Sequence, residues 1–218
     1  MKTIEGRTIP STPAELLDPS RSALLVIDFQ NDFLSERGHY AQHGRDVERM
    51  RTILPALRRL VDAARTNGAR VVFIQQSTLP DGASDSDAWL YFKTRDGKSP
   101  DYTLAGSWGE ELFELQPLKD EPMIRKFRPS AFHGTDLAQM LREMGVETVV
   151  TCGVLTQGCV LATTLDASFH DYYTVVARDA VAGPSAELHD VALTFLASRY
   201  DCLTNDEIIR AWTSRGVA

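Results

Sequence analysis

The chain reads as an α/β protein: a three-layer α/β/α domain around a mainly parallel, doubly wound, Rossmann-like sheet of about six strands. Two observations predict this. Short β-branched apolar runs recur along the sequence, and most are separated by longer segments whose apolar residues follow the helical period. No internal repeat is present, and 218 residues suit a single domain spanning 1–218, long enough to bury one large core.

Residues 1–20, with Pro10, Pro13 and Pro19, read as an extended arm on the surface or on a neighbouring subunit. Strands are predicted at "ALLVID" (23–28), "RVVFIQ" (70–75), "PMIRKF" (122–127), "TVVTCG" (148–153), "TVVAR" (174–178) and "DCLT" (201–204). Their continuous apolar character fits strands covered on both faces. Between the first two, Val47, Met50, Ile53, Leu54, Leu57, Leu60, Val61 and Ala64 form one helical stripe. A helix over 136–144 stops at Gly145, and later helices cover 188–196 and 206–212, the last with Asn205 as its expected cap. The stretch 76–121, rich in Asp, Ser, Gly and Pro, is too long for a simple connection and reads as an active-site loop region.

With 30 acidic against 23 basic residues the net charge is −7, and no basic block occurs. That argues against nucleic acid or an anionic membrane as partner. No apolar run approaches the roughly 20 residues that cross a bilayer. Three cysteines without a secretory leader pattern point to a reducing, cytoplasmic setting without disulfides.

In a parallel α/β sheet, ligands sit at the carboxyl ends of the strands. Asp28 ends the first strand and reads equally as a turn former or a reactive carboxylate. Lys126 ends the third, where a solvated surface charge is the ordinary alternative. Cys159 lies in "CGVLTQGCV" at the start of the next helix. Helix-terminal N–H groups there would lower a thiol pKa from about 8.5 towards neutrality. A buried, inert thiol is the alternative, and it is the expected state of Cys152 and Cys202 within their strands. Cys152 and Cys159 do not have the C-x-x-C spacing of thiol oxidoreductases.

Taken together, "DFQNDF" after strand one, "KFRPSAF" after strand three and "GVLTQGCV" after strand four resemble the motifs of the isochorismatase-like superfamily of cysteine hydrolases. The resemblance runs from the first strand to the last helix. It implies a catalytic triad of Asp28, Lys126 and Cys159 and a cis peptide between Val154 and Leu155. The backbone N–H groups of Leu155 and Cys159 would then form an oxyanion hole. Isochorismatases proper carry glycine at the nucleophile position, whereas this chain has Cys159, which points to C–N bond hydrolysis. The "PSAFHGTDL" and "TQGCV" segments are similar to those of enzymes acting on small ureido and carbamoyl compounds, N-carbamoylsarcosine, ureidoacrylate and biuret hydrolases among them. Leu161 stands where the N-carbamoylsarcosine enzyme's loop has an arginine.

The nicotinamidase branch resembles a metal enzyme with histidines after strand two, but "IQQSTLPDGASDSDAW" contains none. His39 and His43 have ligand-like spacing but no evident third ligand, and they read as a solvated loop. No metal or other cofactor is expected. Phe33, Gln76, Trp108, Phe132 and Gln157, on loops at the same sheet edge, are the expected substrate-binding residues. The expected function is a cysteine-dependent amidohydrolase acting on a small amide, ureido or carbamoyl compound through a covalent intermediate. A metal-independent maleamate- or nicotinamide-type amidase, or a catalytically idle binding module, is the alternative. The resemblance also implies a homodimer or homotetramer.

Overall fold

The computed structural model describes residues 1–95 and 99–215. Residues 1–20, expected to be extended, instead form an antiparallel hairpin of β1 (Lys2–Ile4) and β2 (Arg7–Ile9), then a helical turn at Pro13–Leu16. Leu17 is fully buried, and the Leu16 carbonyl accepts a 2.6 Å bond from Thr148 Oγ1, so this segment is tied to the main body.

The main sheet contains β3 (Ser22–Ile27), β4 (Arg70–Gln76), β5 (Met123–Lys126), β6 (Thr148–Val154), β7 (Tyr173–Ala182) and β8 (Asp201–Leu203). Its spatial order is β5-β4-β3-β6-β7-β8, with every pair parallel. Counted from β3, the first strand of this sheet, the order is the doubly wound one, and it reverses between β3 and β6. Loops leaving those two strands in opposite directions open a crevice there.

Side chains alternate across the strands. On one face Leu24, Val26, Val150 and Cys152 pack with α1 (Leu54–Asn67), through Leu57, Leu60 and Val61. On the other face Ala23, Leu25, Ile27 and Val149 meet Leu137 and Leu141 of α3 (Leu137–Glu143) and Ala167 of α4 (Leu161–Phe169). Leu196 of α5 (Ala186–Ala197) joins that second cluster, and Ile208 and Trp212 of α6 (Asn205–Arg215) join the first.

Several elements differ from expectation for identifiable reasons. The single helical stripe over 47–64 is two helices, Val47–Arg51 and α1, because Pro55 lacks the N–H that a continuous helix needs and sits in the first turn of the second. Strand β7 continues to Ala182 past the exposed Arg178 and Asp179; a register shift between Thr151 and Gly153 lets Val181 and Ala182 pair again. Thr204, not Asn205, caps α6: its hydroxyl accepts from Glu207 N (3.2 Å), and Glu207 Oε2 accepts from Thr204 N (2.8 Å), a capping box. Asn205 instead donates to the Ala56 carbonyl of α1 at 2.9 Å. The loop region 76–121 contains a helix, α2 (Asp87–Thr94), capped by Ser86, which accepts from Trp89 N. Among the described residues no helix is long and apolar enough to cross a membrane.

At the crevice, Gly153 has φ of +106° and pairs with Ile27 in the sheet register. A Cβ there would overlap the Ile27 carbonyl oxygen, so β3 and β6 approach closely only because residue 153 lacks a side chain. Gly153→Ala is expected to destabilise the fold by about 3 kcal/mol, since both strands are buried and the clash is with backbone. Urea denaturation of the two proteins checks this.

Candidate active site

Three strand ends deliver Asp28, Lys126 and Cys159 to one place. Asp28 follows β3 in a left-handed conformation (φ 50°), which aspartate tolerates better than most residues. Its N–H is bound to the Ile74 carbonyl of β4 at 3.0 Å. Lys126, the last residue of β5, is fully buried, which rules out the solvated surface charge. Its Nζ lies 2.8 Å from Asp28 Oδ2, 2.8 Å from Gln76 Oε1 and 3.4 Å from Cys159 Sγ. Those three contacts match the three donors of an ammonium.

Gln76, at the end of β4, is fixed in orientation. Its Nε2 donates to the Ser77 carbonyl (2.9 Å), leaving Oε1 to accept from Lys126. Its backbone is clamped by the Gln30 amide, which accepts from Gln76 N and donates to Gln76 O, each at 2.9 Å. The buried Glu110 carboxylate accepts from Ser77 Oγ (2.6 Å) and Gly106 N (2.7 Å), anchoring the same strand end to the long loop.

Cys159 lies in a short π-helical stretch, Thr156–Val160, where Val160 N reaches back to Leu155 O at 3.1 Å; the α-helical turns begin only at Leu161. The Val154–Leu155 peptide is cis. Among the described residues no protein acceptor receives the Leu155 N–H. Thr156 Oγ1 is 2.8 Å from His189 Nδ1, which ties this loop to α5.

Burial raises the Asp28 carboxyl above the ordinary carboxylate range, against the opposing pull of the Lys126 charge. Burial works to lower Lys126, but the Asp28 carboxylate and the Cys159 sulfur together hold it above the usual lysine value. The Cys159 thiol is pushed up to about 12, first by burial and then by the Asp28 charge, with Lys126 only partly compensating. The expectation of a thiol lowered towards neutrality is thereby corrected: enclosure and a neighbouring carboxylate outweigh the helix start. Cys152 is fully buried, donates to the Leu25 carbonyl and is also raised by burial.

Asp28, Gln76 and Cys159 face a cavity of about 170 Å³, whose apolar walls include Phe33, Tyr40, Trp89, Tyr102 and Leu155. Of the expected substrate-binding residues, Phe33 and Gln76 belong to this lining. Trp108 lies outside it, under the Arg37 guanidinium at 4.8 Å. Phe132 is buried in the core cluster of α3, stacked on His170 at 5.0 Å. Gln157 turns towards Gly183, where no Cβ obstructs it. Tyr40, Trp89 and Tyr102 were not anticipated. Trp89 carried a readable signal, the Ser86 cap followed by Trp89, Phe92 and Lys93 at helical spacing.

Among the described residues no three His, Cys, Asp or Glu side chains gather as ligands. His39 and His43 stack face to face at 3.9 Å, and His43 Nδ1 is 2.7 Å from the His39 carbonyl.

A family model, the isochorismatase domain, matches residues 22–207. This chain belongs to the isochorismatase family. It is 35% identical over 179 residues to ureidoacrylate amidohydrolase RutB of Yersinia enterocolitica, covering 76% of this chain and 77% of that protein. In structure it is similar to an isochorismatase-like hydrolase from Alkaliphilus metalliredigens, with a TM-score of 0.76, 30% identity and coverage of 88% and 99% of the two chains. It is also similar to the pyrazinamidase of Pyrococcus horikoshii solved in complex with zinc, with a TM-score of 0.70, 30% identity and coverage of 84% and 99%. Within the isochorismatase family the chain sides with the amidohydrolases, hydrolases of C–N bonds.

Because Lys126 compensates the buried Asp28 charge, Lys126→Met is expected to cost about 3–5 kcal/mol at neutral pH. Without the ammonium, the folded-state pKa of Asp28 rises further above its unfolded value. The variant's stability therefore falls as pH climbs above the ordinary carboxylate range, and the penalty levels off once Asp28 is charged in the folded protein. Urea denaturation of both proteins from pH 4 to 8 reads this slope; a pH-independent difference would count against it.

Proposed function

We propose that this chain is a metal-free, cysteine-dependent amidohydrolase of small ureido, carbamoyl or amide compounds, with Asp28, Lys126 and Cys159 as its catalytic residues. The observation that carries the reading is the buried Lys126 ammonium, 2.8 Å from Asp28 and 3.4 Å from Cys159, two residues that line a small cavity. The similarity to ureidoacrylate amidohydrolases supports the ureido substrate class.

The steps follow from the acid–base balance. A thiol held near 12 is neutral at working pH, so it must lose its proton as it attacks. Asp28 is the base in contact with it, and its raised pKa suits proton acceptance better than that of an ordinary carboxylate. Lys126 balances the charge that remains. The sulfur adds to the carbonyl carbon, and the Leu155 and Cys159 N–H groups receive the oxyanion. The C–N bond then breaks as Asp28 returns the proton to the departing nitrogen, which releases ammonia and leaves a thioester or thiocarbamate on Cys159. Water, deprotonated by Asp28, attacks that carbonyl and frees the sulfur, which recovers its proton.

Cys159→Ala is expected to lower ammonia release by at least about 10³-fold across ureidoacrylate, biuret, N-carbamoylsarcosine, maleamate and nicotinamide, and Asp28→Asn by a similar factor. Parent-rate turnover by the cysteine variant would remove the covalent scheme, and inactivity of the parent on every compound would remove the amidase reading. In the free enzyme, iodoacetamide labelling of Cys159 should accelerate with pH well beyond the range of an ordinary thiol near 8.5, as a raised thiol pKa requires. A labelling midpoint at or below 8.5, followed by mass spectrometry, contradicts that.

A further inference from the structure

The loop from Leu155 to Cys159 is held from two sides. From within, the Leu155 carbonyl accepts from Gly158 N at 2.9 Å and from Val160 N at 3.1 Å. Gly158, with φ −122° and ψ −106°, breaks the helical path, so a regular helical ladder does not fix the rest of the loop. The second hold comes from α5. Thr156 is fully buried, and its hydroxyl lies 2.8 Å from His189 Nδ1. Gln157, beside it, packs along Gly183 in the turn before α5 with its buried Oε1 unbonded. Among the described residues the Thr156–His189 contact is therefore the one side-chain hydrogen bond that joins this loop to α5.

His189 is itself placed by the start of its helix. Ser185 accepts from Leu188 N through its hydroxyl (3.3 Å) and from His189 N through its carbonyl (3.0 Å). His189, Ala192 and Leu196 share one helical stripe, and the latter two are buried. Position 189 is where the inward face of α5 passes from the core to the catalytic loop, and it carries an imidazole. Burial, and after it the Arg49 charge, hold that imidazole below the ordinary histidine range, against the pull of Asp190. The ring is neutral near pH 7 and acts on the loop by its hydrogen bond rather than by charge.

A buried threonine hydroxyl needs a partner in any fold. This one bears on the chemistry because Thr156 directly follows Leu155: a rotation that freed Thr156 would turn the Leu155 peptide with it. Donors to a developing oxyanion have to be held to within about 0.5 Å. We infer that His189 is a positioning residue for C–N hydrolysis, which through Thr156 keeps the Leu155 N–H aimed at the oxyanion formed when Cys159 attacks. The inference deepens the amidohydrolase reading and rests on it for the role of Leu155.

Turnover of ureidoacrylate, biuret, N-carbamoylsarcosine, maleamate and nicotinamide gives the first test. His189→Ala should lower kcat and kcat/KM together by about tenfold or more, with KM within about twofold, because the oxyanion exists only beyond the ground state. His189→Asn sets an amide where Nδ1 stood and should recover most of the loss, whereas His189→Gln, whose amide falls at the Nε2 position, should not. Thr156→Val should match His189→Ala, and the double variant should lose no more than either single one. An unchanged kcat, a loss confined to KM, failure of the Asn variant to recover, or additive losses overturn the inference.

A second test is independent of the natural substrate. p-Nitrophenyl acetate acylates a thiol through an oxyanion: sulfur bonds to the carbonyl carbon, its proton passes to Asp28, and p-nitrophenolate leaves. Iodoacetamide alkylates the same sulfur by displacing iodide, and no oxyanion forms. In His189→Ala the acylation rate of Cys159, followed by mass spectrometry, should fall about tenfold or more while alkylation stays within about twofold. Equal changes in both rates overturn the inference, as does a parent whose Cys159 is not acylated at all. If the parent hydrolyses none of the five compounds, the amidase reading fails and the ratio of the two labelling rates decides on His189 alone.

Discussion

The Lys126–Asp28 ion pair is the constraint on which the arrangement of this molecule depends. Two charged groups without access to solvent are tolerated only when each offsets the other's charge. Here compensation requires β5, β4, β3 and β6 to end at one level: Lys126 comes from β5, its acceptor Gln76 from β4, Asp28 from the end of β3, and Cys159 from the loop after β6. A slip of any of these strands would strand an ammonium or a carboxylate in the core. The close approach of Gly153 to Ile27 belongs to the same requirement, because it sets β3 and β6 side by side where their loops diverge. Charge placement and strand register are thus one problem with one solution.

The "DFQNDF" segment has two functions within six residues. Asp28 faces the chemistry, while Gln30, Asn31 and Asp32 hold down the far end of the long loop. Gln30 donates to Glu110 O at 2.8 Å, Asn31 donates through its side chain to Trp108 O at 2.8 Å, and Asp32 N donates to Gly109 O at 3.0 Å. These amides and carbonyls would otherwise be buried without partners. The loop walls the cavity with Trp89 and Tyr102 because its two flanks are fastened at the base of the site, by Thr78 bonded to Thr103 and Ala105 on one side and by the Gln30–Glu110 contacts on the other.

Much of this was legible in the sequence because a parallel sheet makes a simple statement: continuous β-branched runs, spaced by amphipathic helices, with reactive residues at strand ends. Asp28, Lys126 and Cys159 stood out that way as candidates with structural alternatives, the resemblance to the isochorismatase-like hydrolases joined them into a triad, and the structure brings them together. What sequence reading missed shares a different origin. Helix α2 was hidden in a polar stretch because its apolar residues face a cavity or solvent instead of the sheet, with Tyr91 and Phe92 exposed. Phe132 was misplaced because an aromatic on a loop at the right edge can still turn into the core beneath it. Thr204 was passed over as the cap of α6 because Asn205 is an equally good capping residue, and only the docking of Asn205 on Ala56 decides between them. The thiol was misjudged for an electrostatic reason: a helix start contributes a partial charge, whereas burial and a full neighbouring carboxylate act on the same sulfur at shorter range.

That last correction alters the character of the site. A stable thiolate beside an ionised Asp28 would make the inner cavity a standing anion, repelling the electron-rich oxygen and nitrogen of a ureide. With a neutral thiol, a carboxylate and an ammonium, the cavity is neutral before reaction and needs no counterion from solvent. Charge develops only when sulfur, proton and carbonyl oxygen move together, within a small and largely apolar enclosure where fixed N–H donors interact strongly. A neutral cavity, however, has little with which to select among small neutral carbonyl compounds. Charge selectivity in such a site has to come from outside the reacting centre.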